Sequence, residues 1–458
     1  MTGISLIITF ILAIIIMIWL IAKIKVHPFL ALMGVSLTLA MLAGIELNRI
    51  PTIIGEGFSA IFKSIGIVII LGAIIGTILE KTGAALKLAD LVVRLVGQKR
   101  PDLAMLMMGW IVGIPVFCDS GFVVLNPIRE ALRSKIAANP VSMAVALSGG
   151  LYASHVFIPP TPGPIAAAGA LGLSHNLLLV IIMGIVVSLP VLLAVYLFAK
   201  YIGNKVSIEQ PEADHIIQQS YEQLLQHYGK LPNGLLSLAP ILFPILLMAL
   251  GSIGKILGIG GQLGEIIQFL GNPIIALTVG VIFAIGLLLQ TEKIKEFDQL
   301  TNETLKIVGP ILFITAAGGV LGKIIIEAGF VEYIKQNAHH ISTFGIFFPF
   351  IISAILKTAQ GSSTVAIITT AAIMGMFNAN DSLMAVLGLT SEIAATLCVM
   401  AIAAGAMCVS HANDSYYWVV TNFTKLTPQQ GYKTQTLLTL IMGIVGILTV
   451  YVLSLILL

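Results

Sequence analysis

Ala-Leu-Ser-Gly-Gly-Leu-Tyr-Ala-Ser-His, at residues 146 to 155, has a counterpart far along the chain: Ala-Ile-Ala-Ala-Gly-Ala-Met-Cys-Val-Ser-His, at residues 401 to 411. The two stretches match through three pairs at a spacing of 256: Gly149 with Gly405, Ser154 with Ser410, and His155 with His411. A match of this kind between the two halves of one chain predicts an internal duplication.

Two earlier matches extend the duplication towards the N-terminus. His-Pro-Phe-Leu-Ala-Leu at residues 27–32 recurs as Asn-Pro-Ile-Ile-Ala-Leu at residues 272–277. The glycine pair Gly76 and Gly83 recurs as Gly322 and Gly329, again seven residues apart. In a membrane chain, paired repeats are typical of transporters, whose binding site lies where the two halves meet near the middle of the bilayer.

The composition is that of an integral membrane protein. Hydrophobic residues make up 58% of the 458 positions, charged residues only 10%, and the mean hydropathy is +1.03. Such a chain lacks the polar surface that a soluble globular protein needs. Its net charge of +3 comes without a clustered basic face, so we expect no nucleic-acid partner. Its three cysteines lie inside apolar segments and predict neither a disulfide framework nor a zinc site.

Ten apolar runs are long enough to cross about 30 Å of hydrocarbon. They start near Ile4, Phe29, Ser64, Val141, Leu177, Leu235, Pro273, Val308, Glu392 and Thr436. Two further apolar segments, 103–131 and 347–377, are interrupted by Asp119-Ser120-Gly121 and by Gln360-Gly361-Ser362-Ser363. Polar, irregular backbone is tolerated at membrane depth only where it is buried in protein or lines a wet cavity. We therefore predict two re-entrant hairpins.

The predicted fold is an all-α membrane protein of two inverted-topology repeats, each with about five transmembrane helices and one re-entrant hairpin. Five spans and one hairpin give an odd number of crossings, so the second copy must enter the membrane upside down. Repeat 1 covers residues 1–199, with the hairpin at 103–131 and a broken span at 141–175. Repeat 2 covers residues 234–458, with the hairpin at 347–377 and a broken span at 392–424. Residues 200–233 form a cytoplasmic linker.

The distribution of positive charge orients this arrangement. With both termini outside, 18 of the 24 Lys and Arg residues fall in the inner segments, which are 23–26, 81–101, 129–140, 200–232, 291–306 and 425–433. The positive-inside rule therefore favours two periplasmic termini. In the linker, apolar residues at helical spacing oppose polar ones, which predicts a short amphipathic helix on the cytoplasmic interface or against a partner subunit. A solvated linker helix fits the same pattern.

The polar breaks in the two hairpins are the first candidate site. Half-helices that end near Asp119, Ser120 and Gly121 would aim unpaired N–H groups at one point, which suits an anionic ligand. At the second break, an amide and hydroxyls can replace water around a carboxylate and sugar hydroxyls, and Gly361 permits close backbone approach. These polar side chains belong to Gln360, Ser362, Ser363 and Thr364. The alternative is a tight turn whose polar atoms only satisfy one another.

The two broken spans supply the remaining candidates. His155 leads into Pro-Pro-Thr-Pro-Gly-Pro at residues 159–164, and His411 leads into Asn413-Asp414-Ser415, neither of which favours continued helix. We predict that His155, Thr161 and Asn413 contact the substrate. The candidates for carrying a coupling proton are Asp119, Asp414, His155 and His411. A histidine in a protein core is as often a satisfied structural donor. Lys357 either neutralises a substrate carboxylate or snorkels to the surface.

These motifs together resemble the gluconate permease (GntP) family of the ion transporter superfamily, over nearly the whole chain. The resemblance rests on residues 72–76, 113–122, 159–164, 359–366 and 410–415. It implies proton-coupled uptake of gluconate or a related small hydroxy or sugar acid across a bacterial inner membrane, with no cofactor besides the proton gradient. By wider analogy with the superfamily, it also implies a homodimer with an elevator-like transport domain.

Three positions depart from the pattern of gluconate carriers. Cys118 stands where an aromatic residue is usual, Thr161 where a histidine can occur, and Lys357 where arginine is common. A shorter acid such as glycerate therefore fits as well as gluconate. Sodium-coupled carboxylate transport would use the same architecture, with unwound carbonyls around the cation. An intramembrane hydrolase built on the same histidines and aspartates is the third reading, but no histidine–glutamate zinc motif supports it, so we expect no enzyme.

Overall fold

The computed structural model describes residues 23–96, 100–136, 138–208, 231–329, 345–411 and 414–458, and a few positions between 8 and 20. The described part of the chain is helical and contains no strand. Residues 209–230 lie outside it, so most of the predicted linker and its amphipathic helix does too.

Nine helices are described in the first half of the chain. They are α1 (Pro28–Ala43), α2 (Ile50–Ile61), α3 (Ile67–Lys81), α4 (Ala84–Val96), α5 (Pro101–Val112), α6 (Cys118–Ile136), α7 (Pro140–Phe157), α8 (Pro162–Ala170) and α9 (Leu177–Gly203). A π-helical turn, Phe62–Gly66, joins α2 to α3, so this span begins well before the apolar run that predicted it. The short helix α4 was not anticipated from the sequence.

Eleven helices are described in the second half. They are α10 (Gly234–Ile256), α11 (Gly261–Gly271), α12 (Pro273–Gln290), α13 (Phe297–Glu327), α14 (Phe347–Gln360), α15 (Ser363–Met374), α16 (Leu383–Val386), α17 (Glu392–Met407), α18 (Ser415–Phe423), α19 (Pro428–Gly431) and α20 (Leu437–Leu457). A second π-helical turn, Tyr432–Thr436, joins α19 to α20.

Six stretches of the described chain are long and apolar enough to cross a membrane, and they make this a multi-pass membrane protein. They are Pro140–Ala170, Leu177–Gly203, Gly234–Gly251, Pro273–Gln290, Ile294–Glu327 and Pro428–Leu457. Several helices expose apolar side chains along one face. On α9, Leu189, Leu193 and Leu197 recur every four residues and are 54–60% exposed, as expected for a helix that faces lipid.

The two broken helices α7 and α17 form the centre of the molecule. Every residue of α7 is buried, and so is every residue of α17 after its first two. Glycine allows this close packing. A Cβ on Gly150 would lie 2.2 Å from the Leu106 carbonyl oxygen of α5, and a Cβ on Gly405 would lie 2.3 Å from the Phe350 carbonyl oxygen of α14. No larger residue fits at either position without moving a backbone.

Helices at matching positions of the two halves make matching contacts. α5 packs on α7 as α14 packs on α17, and α7 packs on α9 as α17 packs on α20. Across the halves, α8 packs on α15 as α18 packs on α6, and α1 packs on α13 as α12 packs on α3. The sequence match paired Gly405 with Gly149, but Gly149 faces Val195 of α9. By packing, the counterpart of Gly405 is the next residue, Gly150.

The repeated glycine pairs also have a structural reason. Gly83 and Gly329 both take left-handed backbone, with φ of +74° and +71°, just after α3 and α13 end. A Cβ on Gly76 would lie 2.2 Å from the Pro115 carbonyl oxygen, and one on Gly322 would lie 2.6 Å from the Ala372 carbonyl oxygen. In each half, therefore, the first glycine of the pair packs against the hairpin.

Several contacts join distant segments for which the charge distribution predicts the same side of the membrane. Segments predicted to be cytoplasmic meet one another: Lys293 donates to the Lys81 carbonyl at 2.8 Å, and Gln430 to the Ser207 carbonyl at 2.9 Å. Segments predicted to be external also meet, through the Arg49–Glu327 ion pair at 3.0 Å and the bond from Phe377 N–H to the Leu171 carbonyl at 3.1 Å.

Candidate functional site

Four helix breaks surround the centre of the molecule. They lie at residues 113–117, 158–161 and 361–362, and after Met407, where α17 ends. The first break precedes Asp119-Ser120-Gly121, which instead form the first turn of α6. Pro115 explains the difference, because a proline inside a helix removes a hydrogen bond and clashes with the preceding turn. A carboxylate in the first turn of a helix, as at Asp119, is favourable.

A buried ion pair joins the second hairpin to the second broken helix. The Lys357 ammonium donates to the Asp414 carboxylate at 2.6 Å, and Lys357 is only 1% exposed. The same ammonium donates to the carbonyl of Gly361, whose φ of +88° ends α14. The structure therefore excludes snorkelling for Lys357. A lysine buried among helix breaks is a functional candidate, because burial of a charge is costly.

Asp414 is bonded through both of its carboxylate oxygens. One oxygen accepts from Lys357 and from the Ser410 hydroxyl at 2.5 Å, and the other accepts from the Tyr416 N–H at 3.0 Å, which caps α18. Ser410 is itself held by two threonines, Thr436 and Thr439, in the last π-helical turn and at the start of α20. The ion pair thus has a fixed position in the fold.

Asp119 connects the two halves of the chain directly. Its carboxylate accepts from the hydroxyl of Ser415, the first residue of α18, at 3.2 Å. A weaker contact from the Cys118 thiol measures 3.8 Å. In the described part of the chain no Lys, Arg or His lies within 4.0 Å of this carboxylate, so it differs from Asp414 in having no cation beside it. Ser415 directly follows Asp414, so this bond brings the two acids into one site.

Two polar side chains of α7 point into the same region without a partner. Tyr152 and His155 are three residues apart and so lie on one face of the helix. The Tyr152 hydroxyl and His155 Nδ1 are buried, and neither has a hydrogen-bond partner among the described residues. The Lys357 ammonium lies 5.8 Å from the centre of the Tyr152 ring. Buried polar atoms are nearly always bonded, so these two indicate a place for a polar ligand or water.

The second hairpin places its hydroxyls around the same point. Ser362 caps α15, where its hydroxyl accepts from the Val365 N–H at 3.3 Å. The Ser363 hydroxyl faces that of Tyr152 but makes no hydrogen bond of ordinary geometry with it. Thr364 lies half-buried in the first turn of α15. The N-terminus of α15 therefore faces the centre, and a helix N-terminus favours an anion.

Four predicted site residues make other contacts. Ser120 lies beside the Glu80 carboxylate of α3, and Gly121 packs against the Leu151 side chain. The Thr161 hydroxyl donates to the carbonyls of His155 and Ile158, both at 2.8 Å, and so holds the first broken helix in shape. The His411 ring is bonded to the Thr358 carbonyl at 2.9 Å, half-exposed, whereas its match His155 is buried in the last turn of α7.

Two further predicted residues cannot be placed. Asn413 lies outside the described residues, and so does the side chain of Gln360. Conversely, sequence reasoning missed Tyr152 and Ser415. Tyr152 is the one large polar residue in a run of small and apolar ones, three positions before His155, and this spacing is the signal that could have identified it. Ser415 gave no signal beyond its place next to Asp414.

Ser362 both caps α15 and lies at the centre, and a substitution can separate these two roles. Ser362→Ala removes an N-cap bond, which costs about 1 kcal/mol, and a hydroxyl that faces the centre. We expect the variant to be made normally and to raise the KM for transport. Ser391→Ala is the matched control, because Ser391 caps α17 through an equivalent bond to Ala394 at 3.1 Å, away from the breaks. Equal KM values for the two variants, measured by uptake kinetics, would assign Ser362 a structural role only.

Comparison with known proteins agrees with these features. The model of the GntP family permeases matches residues 5–456. The chain is 32% identical to the inner membrane permease YgbN of Escherichia coli K12 over 443 residues, 95% of each protein. It is 28% identical to a gluconate permease of Pseudomonas aeruginosa, covering 96% of this chain and 95% of that one, and 27% identical to the low-affinity gluconate transporter of Escherichia coli K12, covering 97% of each.

Among solved structures, the chain is similar to the YdaH transporter of Alcanivorax borkumensis. The TM-score is 0.58 at 14% sequence identity, covering 93% of this chain and 97% of that one. At this identity the similarity shows the fold alone. The described residues contain no group of three or more His, Cys, Asp or Glu side chains that could hold a metal ion. The chain, matched along almost its entire length, belongs to the GntP family of permeases and is a transport protein rather than an enzyme.

Proposed function

We propose that this permease is a secondary active symporter that takes gluconate, or a related small hydroxy acid such as glycerate, into the cell together with protons. The observation that carries the proposal is the polar centre between the four helix breaks. It combines a buried ammonium on Lys357 with two carboxylates and with the unpartnered polar atoms of Tyr152 and His155. The names of the gluconate-transporting relatives support the substrate class.

The site chemistry fits a hydroxylated monocarboxylate. An ammonium and the N-terminus of α15 suit one carboxylate. The hydroxyl of Tyr152 and the Nδ1 atom of His155 are free to bond substrate hydroxyls, and Asp119 can accept hydrogen bonds from hydroxyls. A purely apolar acid would leave these groups unsatisfied, at a cost of about 1–3 kcal/mol each.

The charge of the site gives the reason for proton coupling. Asp119, Asp414 and Lys357 together carry a net charge of −1 when all three are ionised. A second negative charge 4 Å from an unpaired carboxylate is opposed by about 4 kcal/mol at an effective dielectric constant of about 20. A proton on one of the acids removes this repulsion. The proton and the substrate anion therefore favour each other's binding, which is the thermodynamic basis of symport.

Uptake into proteoliposomes tests this function. We expect labelled gluconate or glycerate to accumulate when the outside is more acidic than the inside, and a protonophore to abolish the accumulation. Running the two acids side by side decides which chain length the site prefers. Absence of gradient-dependent accumulation for every hydroxy acid tried would refute the proposal. Replacing sodium by choline at fixed pH tests the alternative, sodium-coupled carboxylate transport, which predicts that uptake stops.

Asp119→Asn tests the role of the unpaired acid. Asparagine keeps one oxygen for Ser415 but loses the charge, and hydrogen bonds to charged groups contribute about 1.5–3 kcal/mol. We therefore expect the KM for gluconate to rise by roughly tenfold or more, with normal expression and a pH profile of unchanged steepness. Asp298→Asn is the control, because Asp298 lies in the first turn of α13 as Asp119 does in α6, but is exposed. A flattened pH profile would instead assign the coupling proton to Asp119.

For the architecture, we propose two inverted repeats at residues 1–199 and 234–458, in a homodimer whose polar centre moves as an elevator across the inner membrane, with both termini periplasmic. The matching contacts of the two halves support the repeats. A small pocket between the breaks and α10 supports the movement. Apolar side chains line it, among them Pro115, Pro159 and Pro160 of the breaks and Pro240 and Pro244 of α10. An interface with few directional bonds can slide at low cost.

A further inference from the structure

The Lys357 ammonium already has a partner in the structure. It is bonded to Asp414 at 2.6 Å, and the side chains are only 1% and 7% exposed. Asp414 already neutralises the ammonium, so a substrate carboxylate that is to serve as its counter-ion must take the place of Asp414. Breaking a buried ion pair by removing one partner is strongly unfavourable, because the remaining charge stays buried and uncompensated. An anion that only displaced an ionised Asp414 would gain little by binding.

A proton on Asp414 removes this cost. The oxygen that faces Lys357 also accepts from the Ser410 hydroxyl at 2.5 Å. A hydroxyl can accept as readily as it donates, so Ser410 can reverse its role and receive the new O–H of a protonated Asp414. The other oxygen keeps its bond from the Tyr416 N–H at 3.0 Å and still caps α18. The neutral acid is therefore satisfied without Lys357.

We propose that Lys357 exchanges Asp414 for the carboxylate of the substrate, and that Asp414 takes up one proton in the same step. This proposal rests on the proposed function and names the residues behind its coupling. In the empty site, the positive charge of the Lys357 ammonium is balanced by the negative charge of the Asp414 carboxylate. In the loaded site, the ammonium and the bound anion cancel, and Asp414 is neutral. One proton enters with one anion, the net charge of the site is unchanged, and release reverses both steps.

Among the described residues, Lys357 is the one cationic side chain that is bonded to Asp414. The titratable groups that face it are Lys357 on α14, Cys118 and Asp119 on α6, Tyr152 and His155 on α7, and Tyr416 on α18. The His411 ring is directed to the Thr358 carbonyl.

Asp414→Asn is the central experiment, because asparagine imitates the protonated acid. For the unmodified protein, binding of labelled gluconate is expected to tighten about tenfold per unit fall in pH where the coupled proton is taken up. For Asp414→Asn, we expect binding that does not vary between about pH 5.5 and 7.5. Exchange of gluconate across the membrane should persist, while accumulation driven by a pH gradient falls at least tenfold.

A second variant guards against a folding defect, since Asp414→Asn leaves a buried ammonium without its carboxylate. The double variant Lys357→Gln with Asp414→Asn replaces the ion pair by a neutral hydrogen-bonded pair. We expect it to be produced normally and to bind gluconate at least tenfold more weakly at every pH. Glu327→Gln is the matched control, because it breaks the Arg49–Glu327 pair, 3.0 Å long, outside the site. It should keep the pH slope of the unmodified protein.

Two results would overturn the exchange. One is an Asp414→Asn protein that retains the normal pH slope of binding. The other is a double variant that binds gluconate as tightly as the unmodified protein. Failure of the proposed function would look different, since the unmodified protein would then neither bind nor accumulate a hydroxy acid.

Discussion

Arg129→Met is expected to lower the free energy of unfolding by about 3–5 kcal/mol and to reduce the yield of stable protein. The Arg129 side chain is fully buried on α6. Its guanidinium donates to the Asn126 side chain at 3.0 Å, to the Pro140 carbonyl at 2.8 Å, to the Phe423 carbonyl at 3.5 Å, and to the carboxylate of its neighbour Glu130. Methionine fills the space but leaves two carbonyls and one oxygen of Glu130 without the donor that Arg129 supplied.

Arg129→Met should disturb the polar centre in addition to lowering the stability of the protein. Arg129 ties α6 to the last residue of α18, while Asp119 and Ser415 tie the first turns of the same two helices. Arg133→Met is the control: Arg133 is on the same helix and bonds the same Glu130 at 2.8 Å, but its side chain is 11% exposed. We expect it to cost about 1 kcal/mol or less. Thermal unfolding midpoints of the two variants in detergent, if equal, would contradict this account of Arg129.

Gly150→Ala has the second largest expected effect. The added Cβ would lie 2.2 Å from the Leu106 carbonyl oxygen and 2.9 Å from the Trp110 nitrogen, both backbone atoms of α5. Rigid backbone on both sides forces α5 and α7 apart, and overpacking of this kind costs about 1–3 kcal/mol or more. Because Tyr152 and His155 follow on α7, gluconate uptake should fall together with the unfolding temperature.

Gly55→Ala provides the control with the opposite sign. Gly55 lies inside α2, where an added Cβ meets no atom within 4 Å. In such a place, alanine should stabilise the helix by about 0.5–1 kcal/mol relative to glycine. The two substitutions are chemically identical and differ only in what the new methyl group touches. If both variants melted at the same temperature, close helix contact at Gly150 would not explain the glycine.

The general location of the site could be predicted from the sequence because its signals are local. Proline clusters, Asn-Asp-Ser and Gly-Ser-Ser mark places where a helix cannot continue, and the structure has breaks beside each of them. The exact position of the first break could not be read in this way. Asp119 looked like part of the interruption because it is polar, but a carboxylate is favourable at a helix start, and Pro115 decides where the helix begins.

The contacts that define the chemistry were beyond the sequence, since they join residues far apart in the chain. Lys357 and Asp414 are 57 positions apart, and Asp119 and Ser415 are 296 apart. No local pattern distinguishes a lysine that bonds a distant acid from one that reaches the surface. The paired histidines show the same limit. The match between the halves suggested one role for both, but the second helix ends earlier, so His411 lies outside the helix while His155 is inside.

The two halves of the chain carry an unequal set of charges, and under the proposed function we expect this inequality to orient the bound substrate. Lys357 belongs to the second hairpin, whereas the first hairpin presents the acid Asp119. A molecule held between them must turn its anionic head to one hairpin and its hydroxylated tail to the other. An acid with carboxylates at both ends would place its second charge beside Asp119, so on this proposal we expect the site to disfavour dicarboxylates without any steric barrier.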